Sequence, residues 1–130
     1  MSTVKVNTLT GTSTAGSIAV TGEGNSTTTN LQQGLAKHFH YYDHANTTVK
    51  SSLNQSSITD VNTGFYDPQL TNNMASVNYN IFAHATAESN NANFTYYGYN
   101  RATGSYRRYN YDNASRDMER TDGMLFGDLA

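Results

Sequence analysis

The first 37 residues alternate like β-strand yet hold almost nothing bulky enough to build a core. Val4, Val6, Leu9, Ile18 and Val20 are the only large apolar side chains between Met1 and Leu31, and Thr, Ser, Gly and Asn fill nearly all the rest. Ordering a residue costs roughly 1–2 kcal/mol of backbone entropy, and so sparse an apolar set cannot offset that cost. Such a segment is ordered by other chains or not at all. It predicts an attachment arm over residues 1–29, carried by Val4, Val6, Leu9, Ile18 and Val20. An assembly protein fits that arm better than a self-contained enzyme.

The rest of the chain is built differently. Ten Tyr and five Phe exclude the aromatic-poor composition of a disordered chain. Charged residues make up 14%, against about 25% in ordinary globular domains. Neutral polar groups replace them, with 18 Thr, 16 Asn and 12 Ser. Thr and Tyr suit a pleated, half-buried surface, while Asn and Gly suit turns, so the composition points to β structure. A net charge of −2 supplies no electrostatic footprint for nucleic acid or an anionic membrane. The absence of Cys removes disulfides, thiolate chemistry and Cys-based zinc sites. A small core without such staples finds stability in oligomers. No apolar run approaches transmembrane length and the N-terminus lacks a basic-then-apolar signal pattern, so no membrane insertion is expected.

Thr3–Leu9 and Ser17–Thr21 read as short strands able to form a hairpin, which in isolation is marginal. The one helical signal follows. Thr29 and Gln32 fit a capping box, and Leu31, Leu35 and Phe39, with Tyr42, then recur at steps of four, four and three. This predicts a helix over Asn30 to Tyr42, weakened by Gly34 by about 1 kcal/mol. Its narrow stripe of Leu31, Leu35 and Phe39 would either gather subunits around an axis or lid the next domain. Residues 30–44 are thus expected as a short helix and linker, and 45–130 as a β domain. Candidate strands there are Thr48–Leu53, Ser56–Val61, Phe65–Leu70, Asn78–Ala87, Asn93–Asn100, Ser105–Asp112 and Met124–Phe126. Asn62-Thr63-Gly64 marks a hairpin, and Pro68 should place its strand at an edge or shorten it. Turns at this spacing suggest an antiparallel β-sandwich. The expected architecture is mainly β: a sandwich knob preceded by an extended β arm and one short helix, and trimeric.

Two stretches resemble a known family. KVNTLTGTSTAGSIAVTGEGNSTTTNLQQGLAK looks like the N-terminal segment of fibre and appendage proteins of short-tailed marine bacteriophages, including those of cyanobacteria. SSLNQSSITDVNTGFYDPQLTNNMASVNY is similar to the small β domain that follows there, through Ser57, Ile58, Thr59, Asp60, Gly64, Asn73, Met74, Asn78 and Tyr79. The resemblance covers residues 4–80. It implies a virion structural protein, commonly a trimer, whose N-terminal part docks on the particle and whose β domain faces outward. The expected partners are further copies of itself, other virion proteins of tail or capsid, and a host surface glycan. A trimeric tail fibre or short appendage is the first reading, and a capsid decoration or cement protein with a threading arm the second.

For chemistry, His38, His40 and His44 form the densest cluster of ligand-type side chains. On a helix, His40 and His44 share a face, and in a strand His38 and His40 do. Metal sharing and a solvated cluster at a helix end are both open readings, and no metal ligand is assigned. The ten carboxylates form no acid/base motif and the histidines have no nucleophile motif beside them, so no catalytic residue and no cofactor are assigned. The Tyr-rich hairpin is the better pointer. Tyr97, Tyr99, Arg101, Arg107 and Tyr109 combine stacking area with planar hydrogen bonding and form the candidate interaction surface, for a neighbouring subunit or a sugar-rich cell surface.

Overall fold

The computed structural model describes residues 3–12, 18–21, 28–86, 95–111 and 114–130, with the side chains of 95–98 excepted. The chain divides into two compact units, Met1–Leu35 and Ala36–Ala130. It is mainly β, with antiparallel pairing in every sheet.

In the first unit, β1 (Ala19–Thr21) pairs with β2 (Thr28–Asn30). Residues 3–12 form neither helix nor strand, so the expected Thr3–Leu9 strand is absent. A strand needs a ladder partner, and the ladder here is taken up by β1 and β2. The helix is also shorter than its periodicity predicts. Helix α1 is a single turn, Leu31–Gly34, and Asn30 rather than Thr29 caps it, its Oδ1 accepting from the Gln32 and Gln33 amides at 2.8 and 3.3 Å. One turn barely offsets its nucleation cost, and Gly34 then Leu35, with extended dihedrals, end it.

Residues expected to continue that helix form a strand of the second unit. There β3 (His38–Asp43), β4 (Thr48–Leu53), β7 (Asn80–Thr86) and β10 (Arg120–Phe126) make one sheet, in the order β4-β3-β10-β7. The sequence HFHYYD satisfies a period of two as well as a period near four. Pairing with β10 on one side and β4 on the other selects the strand. His38, His40 and Tyr42 then turn inward, while Phe39 and Tyr41 turn outward.

The second sheet is β5 (Gln55–Asn62), β6 (Phe65–Leu70), β9 (Arg107–Tyr111) and β8 (Thr95–Tyr99), in the order β5-β6-β9-β8. The chain passes from the first sheet to the second through one residue, Asn54, with φ of 54°. Asn tolerates this left-handed conformation better than most residues. Its side chain holds the corner by donating to the Lys37 and Asn72 carbonyls and accepting from the Asn72 amide, at 2.9, 3.0 and 2.7 Å. The β5–β6 hairpin turns at Gly64 as expected. Its φ is 78°, and a Cβ there would lie 2.8 Å from the Arg116 nitrogen and the Asn110 oxygen.

Pro68 is not on an edge strand, since β6 lies between β5 and β9. Leu70 N–H donates to the Gly104 carbonyl, so the Pro68 nitrogen two residues earlier faces the same way, toward β9. The β6–β9 ladder covers Phe65 and Tyr66, lapses at 67–68, and resumes as a bridge between Gln69 and Ser105. The missing donor falls in that gap.

Inward side chains of the two sheets meet. Tyr66 lies against the rings of His40, Tyr42 and His44, with centroids 5.7, 5.0 and 4.9 Å away. Leu70, Met74, Tyr79, Tyr106 and Leu125 form the apolar core, with Ile81 and Leu129 packed on it. No helix among the described residues is long and apolar enough to cross a membrane.

Candidate functional site

Three of the four histidines line the space between the sheets. His38, His40 and His44 are all buried. The Tyr106 hydroxyl lies 3.5 and 3.4 Å from Nδ1 of His38 and of His40. Their Nε2 atoms reach Gln55 Oε1 at 3.4 Å and the Tyr66 hydroxyl at 3.1 Å. Burial pulls the His38 pKa down to about 4, partly opposed by Gln55. His40 is held well below the ordinary range by burial, then by the charges of His38 and Arg108. Both imidazoles are neutral at pH 7. His44 is held apart from them, with Nε2 3.3 Å from carboxylate oxygens of Asp60 and Asp117. Among the described residues, no three His, Cys, Asp or Glu side chains are arranged to share a metal ion. His38 and His40 hydrogen-bond across the two sheets.

Of the five residues in the predicted surface, the structure brings three together. Tyr99, Arg107 and Tyr109 share the outer face of the second sheet with Phe65, Asp67 and Tyr111. Arg107 forms a bidentate pair with Asp67, both bonds 2.7 Å. That hydrogen bonding raises the guanidinium pKa further. The Tyr109 ring stacks on Phe65 at 4.2 Å and 14°, and its hydroxyl meets Ser115 Oγ at 3.3 Å. Arg101 is turned elsewhere, donating to the Tyr79 carbonyl at 2.8 Å with its guanidinium over the Tyr79 ring. Residue 97 pairs in register with Tyr109, and its side chain lies outside those described. Arg107, Asp67, Phe65 and Tyr109 are thus engaged with one another or with Ser115, while Tyr99 and Tyr111 are exposed.

The outer face of the first sheet is different, and sequence reasoning missed it. Register places Leu53 beside Phe39, Phe39 beside Met124, and Met124 beside Phe82. One apolar row thus crosses all four strands. It is open, with Phe82 62%, Leu53 47% and Met124 38% exposed. Phe126 meets Phe82 edge to face at 5.7 Å. The neighbouring row reads Ser51, Tyr41, Asp122 and His84, and His84 Nδ1 lies 3.8 Å from Asp122 Oδ2. The two rows border a shallow recess of about 520 Å³. Strand alternation through HFHYYD was the available signal, since it sends Phe39 and Tyr41 to the face opposite the histidines.

Phe39 was expected on one helical face with Leu31 and Leu35. The structure divides the three, with Leu31 in α1, Leu35 at its C-terminal end and Phe39 in β3. In the first unit, Val4, Val6, Leu9, Val20 and Leu35 are exposed, and Ile18 is half-buried. Leu9, Ile18, Leu31, Gln32 and Leu35 line a recess of about 330 Å³. No protein-family model, curated protein or solved structure matches this chain.

Proposed function

We propose that this chain is a non-catalytic structural protein of a bacteriophage virion, a tail fibre or short appendage. Residues 1–35 attach to the particle, and the two sheets of residues 36–130 form an outward sandwich knob. The observation that carries this reading is the exposure of Val4, Val6 and Leu9 on backbone that forms neither helix nor strand. Val4 is 82% exposed. Apolar side chains spaced for a strand, on backbone that forms no strand of its own, suit addition to another protein's sheet. The same feature supports the second reading, a capsid decoration protein whose arm threads across coat subunits.

Purified particles test both. The chain should co-purify with virions at some tens of copies for an appendage, or at hundreds for a capsid lattice. Val4→Asp with Val6→Asp should abolish incorporation while leaving the circular dichroism of the free protein unchanged. Absence of the chain from purified particles would sink the proposal, and full incorporation of the double variant would remove the arm from it.

A further inference from the structure

Tyr106 carries one hydroxyl proton, and that hydroxyl lies 3.5 Å from His38 Nδ1 and 3.4 Å from His40 Nδ1. It can donate to only one of the two nitrogens, so the other must donate to it. The far sides of the two rings decide which. His38 Nε2 lies 3.4 Å from Gln55 Oε1, an amide oxygen that accepts and never donates. His38 therefore carries its proton on Nε2 and presents a bare Nδ1 to the Tyr106 hydroxyl. His40 in turn carries its proton on Nδ1, donating to the Tyr106 oxygen, and its bare Nε2 accepts from the Tyr66 hydroxyl at 3.1 Å. All the links then run one way, from Tyr66 through His40, Tyr106 and His38 to Gln55. With both imidazoles neutral at pH 7, each link holds one proton.

We infer that these side chains form an acid-sensitive proton relay, in which a proton taken up by His38 changes the tautomer of His40 and reverses its bond to Tyr66. With one proton added, His38 bears one on each nitrogen, and its Nδ1–H faces the Tyr106 oxygen. Tyr106 still has a single proton, now turned to His40 Nδ1. His40 stays neutral, with its proton moved to Nε2 and donated to the Tyr66 oxygen. The Tyr66 hydroxyl, formerly the donor, loses its acceptor. Acid is thus sensed beside Gln55 of β5 and answered at Tyr66 of β6, where a bond between the sheets is turned round. The inference goes beyond the virion reading and stands without it.

The surroundings place the charge on His38 rather than on His40. Burial opposes a charge on either ring most of all, but beyond it the charges of His38 and Arg108 both act against one on His40. On His38 the Gln55 oxygen works against burial and supports the imidazolium. The remaining groups around the two rings are uncharged: Tyr106 and Tyr66 from the second sheet, Ser52 from β4, and from β10 Leu125 beside His38 and Gly123 under His40. Lys37 precedes His38 in the chain, and its own charge is favoured by Asp128. Burial also raises the Tyr106 phenol pKa far above its ordinary value, so Tyr106 keeps its proton and can accept and donate at once.

Long-range proton–nitrogen NMR spectra of the full chain read which ring nitrogen bears the proton. At pH 7, His38 should be protonated on Nε2 and His40 on Nδ1. As the pH falls toward about 4, His38 should gain its second proton while His40, still neutral, moves its own to Nε2 over the same range. Burial by itself would leave the His40 tautomer as it was. Gln55→Glu keeps an acceptor at His38 Nε2 and adds a charge that favours the imidazolium, so it should raise the pH of this step by about one unit or more. That variant brings the step into reach should acid unfold the wild type first. In Tyr106→Phe the central link is cut, and the His40 signals should no longer follow the titration of His38. The same tautomer on both rings at pH 7, or the reversed pair, overturns the relay. So does a His40 that keeps its Nδ1 proton while His38 titrates, or that still follows His38 in Tyr106→Phe. None of these results bears on whether the chain is found in particles.

Discussion

The two ends of the space between the sheets are closed by different physics. At one end Leu70, Met74, Tyr79, Tyr106 and Leu125 bury apolar area. Moving toward the other, the facing groups become His40, Tyr66, Tyr42, His44 and Thr121, all buried. The apolar end holds by water exclusion, which is non-directional and nearly independent of pH. The polar end holds while His40 keeps its hydrogen bond to Tyr66 and its neutral form. Thr121 Oγ1 donates to the Tyr42 carbonyl at 2.6 Å, and burial pushes the Tyr42 phenol pKa up to about 12. Polar groups removed from water cost free energy unless they are hydrogen-bonded. Stability at this end is conditional, and at the other it is not.

Cutting into the apolar end should have the largest effect. Leu125→Ala removes a fully buried side chain and should cost about 2–5 kcal/mol in denaturant unfolding, with the same value at pH 7 and pH 5. Acid should act through the buried histidines, including His38 where the two ends meet, beside Leu125 and Tyr106. The folded pKa of His38 lies below its unfolded value of 6.5, at about 4. The unfolded chain therefore binds more protons between those values, so stability is fully present above pH 6.5 and is lost as pH falls toward 4. The shift corresponds to about 3 kcal/mol. His38→Gln should reduce that slope in stability measured against pH, leaving the share of His40, and an unchanged slope would remove His38 as a source.

Smaller effects sharpen the boundary between the two ends. Gly123 in β10 lies under the His40 ring, and a Cβ there would collide with that ring and come within 2.9 Å of the Tyr106 hydroxyl. Gly123→Ala should cost about 1–3 kcal/mol and displace the His40 ring resonances in NMR spectra. Tyr106→Phe removes only a hydroxyl shared at long distance by two imidazoles, and should cost about 1 kcal/mol by the same unfolding assay. A loss as large as that of Leu125→Ala would mean that Tyr106 belongs to the polar end rather than joining the two.

The candidate site shows where sequence reasoning stops. Strands 48–53 and 65–70 follow directly from alternation and turn residues, and Gly64 is legible as a hairpin glycine. The run from Leu31 to Tyr42 is not, because its apolar spacing suits a helix while its alternation suits a strand. Pairing with β4 and with β10, the latter some 80 residues later, decides between them. Arg101 and Arg107 look equivalent in sequence, yet one binds a backbone carbonyl and the other a carboxylate. Phe39 was singled out, but Leu53, Met124 and Phe82 come from separate segments and become its neighbours through register.

Alternation, turn chemistry and the poverty of large apolar groups before residue 31 are local properties, and they settled the β character, most strand positions and the exposure of Val4, Val6 and Leu9. Tertiary structure alone decided that β3 is a strand, that Pro68 can occupy an interior one, and that an apolar row runs across the first sheet. The reason is physical. Side-chain spacing determines which faces a segment offers, but hydrogen-bond pairing between distant segments determines which face is buried and which residues stand side by side.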